Sequence, residues 1–310
     1  MTTGPATTPT FSVVVPTRNR PDALARCLGA LARLDYPRDR FEVIVVDDGG
    51  TDSVRSSDPA LARMNTRILH KSHGGPGAAR NFGVRNAHGE YIAFTDDDCL
   101  PEPRWLSAFE AAFRTDRGAL LGGHTVNGLE SNLYATSSQL LIDYLHDYYN
   151  PGPEGPRFFT SNNMAVGRDA FLAAGGFDPI FVRAAAEDRE LCARWLRQGH
   201  PRIHVPGAVV LHEHHLTLRR FLVQHFRYGQ GAHYFHLAES RHGNGRIRVE
   251  PPRFYLRLIL LPLRRLGPLR GIAAAALIGM SQIANSAGFV WERNVAARQR
   301  RHASHSQTIA

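Results

Sequence analysis

Three consecutive carboxylates are the first residues in this sequence whose types suggest chemistry. Asp96, Asp97 and Asp98 directly follow the apolar run Tyr91–Thr95. Adjacent like charges destabilise one another unless a cation or hydrogen bonds compensate. Hard oxygen ligands suit Mg²⁺ or Mn²⁺, and Mg²⁺ is usually held by one or two carboxylates together with substrate phosphates. The triplet therefore predicts a divalent metal site that a diphosphate completes; the alternative is an acidic turn that caps a helix beginning at Pro101.

A glycine-rich segment provides a second candidate for anion binding. Residues 73–83 (HGGPGAARNFG) open a predicted helix, where free backbone N–H groups and Arg80 could meet a negative charge. The segment lacks the order of a dinucleotide fingerprint and the lysine of a phosphate loop, so nucleotide-cofactor and ATPase functions are not favoured. An ordinary helix start is the alternative reading.

The elements that must position these residues alternate between strand and helix. Short apolar runs at 11–16, 41–46, 66–70 and 91–95 predict strands, and helices are predicted at 24–34 and 77–87. Such alternation predicts a mostly parallel sheet with helices on both faces, whose strand ends share one ligand-binding edge. The residues that follow the first two strands, 17–19 (TRN) and 47–48 (DD), should therefore lie near the carboxylate triplet.

Beyond residue 100 the alternation is looser. Helices are predicted at 101–115, 134–149 and 187–198, and strands at 119–125 and 205–211. The Pro- and Gly-rich loop 150–156 is predicted to be a lid.

Composition and charge divide the chain into a leader, a main domain and a basic tail. The 310 residues are 43% apolar, which is typical of a globular protein, and three widely spaced cysteines exclude a CxxC metal clip or a disulfide framework and favour the cytoplasm. Residues 1–240 hold 25 Lys+Arg and 26 Asp+Glu, whereas residues 241–310 hold 12 and 2. We predict a flexible leader (1–10), a catalytic domain (11–240) and a C-terminal segment (241–310).

Four motifs in register resemble the family 2 glycosyltransferases, which have the GT-A fold. The segments are 14–19 (VVPTRN), 45–49 (VVDDG), 77–83 (GAARNFG) and 94–98 (FTDDD), and the likeness continues to about residue 235 through 161–165, 175–178, 187–188 and the region of His212. The resemblance implies a Rossmann-like α/β sheet of the GT-A type and inverting transfer of a sugar from a nucleoside diphosphate sugar.

The resemblance also implies a role for individual residues. Asp188 matches the catalytic base, and Asp98 the ligand of Mn²⁺ or Mg²⁺ in a DXD motif. His212 matches a histidine that completes the metal shell in some members, with His214 and His215 as rivals. Asp47 or Asp48 is expected to contact the nucleotide base, Arg80 the base or the diphosphate, and Asp96 the ribose. The full set of residues expected to bind the nucleotide is Pro16, Thr17, Arg18, Asn19, Asp47, Asp48, Arg80, Asp96 and Asp97. Asn162, Asn163 and Glu187 are expected on the side of the acceptor and donor sugar.

The C-terminal segment predicts amphipathic helices. Residues 254–265 combine an apolar run with arginines, and residues 271–290 include Ser281, Gln282 and Asn285, so a helix lying in the membrane interface is favoured over one that spans it. Packing on the catalytic domain or on a second copy is the alternative.

We therefore interpret the sequence as a metal-dependent glycosyltransferase of cell-envelope glycan or glycolipid synthesis. A lipid-linked or polysaccharide acceptor, a cytoplasmic location and peripheral contact with the inner face of the plasma membrane are expected; nucleic acid is not expected as a partner, and an oligomer is left open. The rivals are a sugar-nucleotide pyrophosphorylase and a non-catalytic nucleotide- or membrane-binding protein. The pyrophosphorylase would need a Gly-rich, Lys-bearing loop after the first strand, where this chain has residues 16–19 (PTRN).

Overall fold

A computed structural model describes residues 10–51, 64–149, 158–182, 185–242 and 250–308. Nearly all of the predicted leader (1–10) and the whole predicted lid loop (150–156) lie outside the described residues. Contacts divide the chain into two compact units. The first unit extends up to Leu129 and includes Leu145–Val182 and Asp188–His214; the second consists of Glu130–Tyr144, Arg183–Glu187 and the chain from His215 onward.

The first unit is organised by an eight-stranded sheet whose spatial order is β3-β2-β1-β4-β7-β6-β8-β5. Its strands are β1 Phe11–Thr17, β2 Phe41–Asp48, β3 Thr66–Lys71, β4 Tyr91–Thr95, β5 Cys99–Pro101, β6 Leu120–Asn127, β7 Asn163–Gly167 and β8 Arg202–His212. β1 to β4 pair in parallel, as their alternation with helices predicts. β7 is antiparallel to both β4 and β6, and β5 is antiparallel to β8.

The mixed half of the sheet contains the two strands that the sequence pattern did not predict. β5 and β7 are only three and five residues long. β5 also explains why the third helix begins at Trp105 rather than at the predicted Pro101, because Pro101 belongs to the strand.

Helices pack on both faces of the sheet. The helices of the first unit are α1 Pro21–Leu31, α2 Pro76–Arg85, α3 Trp105–Thr115, α5 Arg168–Ala173 and α6, which begins at Glu187 and ends at Arg197, while α4 Leu133–Tyr149 lies partly in each unit. Side chains alternate along a strand: Val13 and Val15 of β1 join the core built with α1 and α3, whereas Val14 joins the core built with α2, α5 and α6.

The second unit is helical. It contains α7 Leu218–Ser240, α8 Pro252–Leu266 and α9 Pro268–Thr308. α7 was not predicted, because several of its buried positions are Gly, Gln and His rather than apolar residues. A Cβ atom on Gly229 would lie 1.8 Å from the Asn285 carbonyl oxygen, and one on Gly288 would lie 1.9 Å from that of Phe226. These glycines therefore allow the backbones of α7 and α9 to approach closely.

Within the described ranges, one helical stretch, Pro268–Arg298, is long and apolar enough to cross a membrane on length and composition alone. The compositional boundary at residue 240 stays a prediction, although the contacts group α7 with the C-terminal helices.

Candidate active site

The ends of the parallel strands bring the predicted nucleotide-binding segments to one edge of the sheet. Thr17 at the end of β1 is in register with Asp47 of β2. Its hydroxyl donates a hydrogen bond to Asp97 Oδ2 at 2.7 Å. Asn19 has a left-handed backbone (φ 54°) and accepts the Thr51 N–H at 2.7 Å through its side-chain oxygen. The loops after β1, β2 and β4 are thus held together.

The two aspartates at the end of β2 differ in their hydrogen-bond partners. Asp48 accepts hydrogen bonds from Lys71 Nζ at 2.6 Å and from the N–H groups of Gly74 and Gly75 at 2.9 and 2.8 Å. His73 Nδ1 lies 2.8 Å from Asp48 Oδ2. Burial alone would raise the pKa of Asp48, but these hydrogen bonds lower it below the usual value. Asp48 therefore anchors the glycine-rich segment to the sheet. Asp47 accepts the Gly50 N–H at 2.8 Å and lies 3.2 Å from His70 Nδ1.

Two other predicted nucleotide-binding residues lie in the same loops. Pro16 is a buried residue of β1, and Arg18 is exposed. Arg18 Nη1 lies 3.2 Å from His73 Nε2, so its guanidinium reaches from the β1 loop to the glycine-rich segment.

Arg80 joins the carboxylate triplet to the predicted base. This buried side chain on α2 donates from Nη2 to Asp96 Oδ1 at 2.5 Å, and its guanidinium lies 5.6 Å from the centre of the Phe177 ring. Its positive charge also lowers the pKa of Asp188, against the larger effect of burial. The charge of Arg80 therefore acts on two acids of the site, Asp96 and Asp188.

Asp98 and His212 belong to a group of side chains that could hold a metal ion. Cys99 of β5 is paired with His212 of β8 in the antiparallel ladder, which explains how residues 114 positions apart in sequence meet (212 minus 98). His212 Nε2 lies 3.4 Å from Asp98 Oδ1. Within the described part of the chain, the ligand atoms of Asp98, Cys99 and His212 approach one another within 4.8 Å.

The donor set suits a hard or borderline divalent cation. Burial raises the pKa of the Cys99 thiol well above its ordinary value. A thiol is also a soft ligand, whereas Mg²⁺ and Mn²⁺ prefer oxygen ligands. One carboxylate and one imidazole remain, and phosphate oxygens of a substrate would complete the shell, as is usual for Mg²⁺ or Mn²⁺. His214 stacks on His212 with ring centres 4.9 Å apart but lies outside this ligand group, and His215 is exposed.

Arg20 is a site residue that the sequence interpretation missed. It follows Thr17 by three positions, and its guanidinium lies 2.7 Å from Asp97 Oδ1 and 2.6 Å from Asp98 Oδ2. Its place in the loop after β1 was the available signal, because that loop reaches the triplet at the shared sheet edge. Arg20 provides the positive charge that three adjacent carboxylates require.

The surroundings of Asp97 and Asp98 shift the pKa values of these two carboxyls in opposite directions. Burial raises the pKa of Asp97 to about 7, with Arg20 opposing the shift and Asp98 adding to it. Burial would also raise the pKa of Asp98, but the His212 and Arg20 charges hold it well below its usual range. The pKa of His212 is correspondingly raised by Asp98, against the effect of burial. Of the two carboxyls Asp97 and Asp98, Asp98 is therefore the one that stays ionised.

Asp188 lies in the first turn of α6. Its carboxylate accepts the Arg189 N–H at 2.7 Å and the Ser161 N–H at 3.4 Å. Burial raises its pKa, and the two N–H groups and Arg80 only partly oppose this. A partly desolvated carboxylate with a raised pKa has the character of a general base.

The residues predicted beside the sugars have different surroundings. Asn163 is buried in the sheet, where it accepts from Trp105 Nε1 at 2.9 Å and donates to the His124 and Ala208 carbonyls. The side-chain amide of Asn163 thus forms hydrogen bonds that support the fold. Asn162 accepts from the Thr160 hydroxyl at 2.7 Å, and Glu187 is buried next to Asp188 in the chain.

Comparison with known proteins assigns this chain to a fold and a family. The fold is the GT-A glycosyltransferase fold: a mannosyltransferase from Pyrobaculum calidifontis, solved in complex with GDP-Man and Mn2+, superposes with a TM-score of 0.63 at 20% identity over 93% of this chain and 89% of that one. Residues 12–176 match the model of glycosyl transferase family 2, and the chain belongs to that family.

Curated relatives support the same assignment. The pre-mycofactocin glycosyltransferase of Mycobacterium tuberculosis (strain CDC 1551 / Oshkosh) is 30% identical over 226 residues, 71% of this chain and 46% of that protein. Glycosyltransferase AglE of Haloferax volcanii is 33% identical over 122 residues, 38% of this chain and 40% of that protein. This chain thus spans less than half of the length of either relative.

Proposed function

We propose that this chain is an inverting, metal-dependent glycosyltransferase that moves a sugar from a nucleoside diphosphate sugar to an acceptor hydroxyl. The observation that carries the proposal is the Asp96–Arg80–Asp188 arrangement beside the Asp98–His212 pair. It combines the buried cation of Arg80, a candidate ligand pair for a divalent cation and a half-buried carboxylate suited to remove a proton.

The donor would bind along the edge of the sheet. Asp47 has fewer strong partners than Asp48, so it is the better candidate for the base, while Asp48 holds the glycine-rich segment. Arg80, which is held by Asp96 and whose charge acts on Asp188, would orient the ribose and diphosphate side of the donor. Asp98 and His212 would hold Mg²⁺ or Mn²⁺, which when bound supplies positive charge to the leaving diphosphate.

Asp188 would complete the reaction as general base. Its carboxylate takes the proton of the acceptor hydroxyl as that oxygen attacks the anomeric carbon, and the bond from the anomeric carbon to the diphosphate oxygen breaks. One displacement inverts the anomeric configuration and requires no covalent enzyme intermediate. A glycosidase would instead need two carboxyls flanking the glycosidic bond about 5 to 9.5 Å apart.

The acceptor is proposed to be a lipid-linked or polysaccharide glycan of the cell envelope, met by an enzyme on the cytoplasmic side. A relative named poly(ribitol-phosphate) beta-N-acetylglucosaminyltransferase TarS, from Staphylococcus aureus, is 38% identical over 91 residues and supports a polymeric acceptor. The competing pyrophosphorylase function is disfavoured because the loop after β1 carries Thr17 and Arg18 rather than a Gly-rich segment with lysine.

Two measurements test the proposal. Thermal unfolding with a panel of nucleoside diphosphate sugars and Mn²⁺ should single out the donor, since a ligand at a hundred times its Kd adds about 2.7 kcal/mol of stability. Release of nucleoside diphosphate, and the anomeric configuration of the product by NMR, should then show transfer with inversion. Release of pyrophosphate from a nucleoside triphosphate and sugar phosphate would identify a pyrophosphorylase, and donor binding without any turnover a binding protein.

A further inference from the structure

The last helix of the second unit, α9, has one packed face and one exposed apolar face. One face of α9 packs on α7, where Glu292 accepts hydrogen bonds from Gln230 and Tyr234, both at 2.7 Å. The other face is exposed and carries large apolar side chains at helical spacing: Leu269, Ile272, Met280, Ile283, Val290 and Trp291. Leu269, Ile283 and Trp291 are 84%, 72% and 60% exposed. We name these six residues the α9 stripe.

The α9 stripe is too long to be a scatter of surface residues. Ala273, Ala276 and Ala287 lie between its members on the same face of the helix, so no charged side chain interrupts it from Leu269 to Trp291. At 1.5 Å per residue, these 22 steps extend about 33 Å along the helix. Soluble monomers rarely expose continuous apolar surface of this extent, and such surfaces mark sites of association with a partner or a membrane.

The preceding helix presents a similar surface bordered by positive charge. Leu256, Ile259, Leu260 and Leu263 of α8 are exposed and follow one another at helical spacing. Arg253, Arg257 and Arg264 are exposed at spacings of four and seven, so they form a line beside these leucines and isoleucine. An apolar stripe with arginines along its edge is typical of a helix that lies in the interface of an anionic membrane.

The charge of this region excludes an equally good fit to a second copy. Residues 241–310 contain 12 arginines and two acids. Of these acids, Glu292 is buried in hydrogen bonds to α7. Two copies face to face would bring arginines together without acids to pair them, whereas anionic lipid head groups supply the missing negative charge.

The contacts of α9 also indicate whether this helix lies on the bilayer or crosses it. The face opposite the stripe is packed closely on α7, and α7 exposes Arg219, Arg220 and Arg227 to solvent. A crossing α9 would have to leave α7 and expose Glu292 to hydrocarbon, which is costly. We propose that the α9 stripe and the exposed face of α8 form a peripheral docking surface for an anionic lipid bilayer.

Tryptophan fluorescence tests the proposal on the full chain. The chain has three tryptophans, and Trp105 and Trp195 are fully buried, so a lipid-dependent blue shift reports on Trp291. The shift and co-sedimentation should appear with phosphatidylcholine vesicles that contain phosphatidylglycerol, be weak with phosphatidylcholine alone and decrease with added salt. Trp291→Phe should still sediment but lose the shift.

Matched variants separate the surface from general effects. Ile272→Glu with Ile283→Glu should weaken vesicle binding by at least about tenfold, because two apolar side chains lose their burial. Leu196→Glu, an exposed leucine of α6 in the first unit, should bind vesicles as the parent does. Arg253→Gln with Arg257→Gln should lower binding to anionic vesicles and its salt dependence while leaving the apolar surface intact.

Three results would overturn the proposal. One is the absence of any vesicle binding at low salt by the folded full chain. Another is a blue shift without lipid that grows with protein concentration together with a doubling of mass, which would assign the surface to a second copy. The third is attachment that resists high salt and alkaline carbonate and needs detergent for release, which would show a membrane-spanning α9.

Discussion

Replacing Asp188 by asparagine isolates the proton-transfer step from binding. The substitution preserves the shape of the side chain, and the amide oxygen can still accept the Arg189 N–H that Asp188 accepts at 2.7 Å. It removes the ability to take a proton. Turnover should therefore fall by about 10² to 10⁴, and donor affinity should be unchanged. This loss corresponds to about 2.7 to 5.4 kcal/mol of transition-state stabilisation.

The folded state should tolerate the change. Burial raises the pKa of Asp188, so its protonated form favours folding and this contribution is lost as the pH rises through the folded-state pKa. At neutral pH the neutral amide should therefore keep the melting temperature equal to or above that of the parent. For the same reason, the acid limb of the parent's turnover should titrate above the usual aspartate pKa of about 3.9.

The assay compares three preparations. Donor affinity is measured by calorimetry and turnover by nucleotide release for Asp188→Asn, for Glu187→Gln and for Asp169→Asn, an exposed α5 carboxylate that pairs only with the neighbouring Arg168 among the described contacts. Asp169→Asn should match the parent in both measurements. Near-normal turnover of folded Asp188→Asn would refute the reasoning, and a loss confined to Glu187→Gln would transfer the role of base to that residue.

Four further variants probe the metal pair, its neighbouring cation and, with Gly199 as the control, the glycine-rich segment that Asp48 anchors. Asp98→Ala should abolish transfer and metal-dependent donor binding without unfolding the protein, and full activity of this variant in EDTA would contradict the metal assignment. Arg20→Gln should tighten Mn²⁺ binding, measured by electron paramagnetic resonance without donor, by about 1.4- to 5-fold, because a partly exposed ion pair contributes about 0.2 to 1 kcal/mol; weaker Mn²⁺ binding would show that Arg20 supports the site instead. Gly199→Ala, at φ +83° in open space, should lower the free energy of unfolding in urea by roughly 1 to 2 kcal/mol. Gly75→Ala, at φ +89° with its Cβ 2.0 Å from the Val182 carbonyl oxygen, should lower it by more, and equal losses would contradict the close contact.

The parallel half of the sheet and its polar edge were predictable from the sequence alone. Each of the first strands is a short β-branched run bounded by turn residues, and each helix shows its own apolar periodicity, so the information is local. Parallel pairing then places residues 17–19, 47–48 and 96–98 at one edge, because parallel strands end on the same side. The structural comparison confirmed the predicted GT-A fold.

The tertiary structure determines which of those residues support the fold and which remain available for chemistry. Asp48 and Asn163 are engaged in hydrogen bonds to loop and sheet, which neighbouring sequence does not reveal. Arg20 reaches the triplet only because two loops meet, and Asp98 meets His212 through the short antiparallel pairing of β5 with β8. Such contacts join positions far apart in the chain, and β5, with three residues, is too short to leave a periodic pattern in the sequence. Local patterns determine the elements, whereas packing between distant segments determines which polar groups remain available to a substrate.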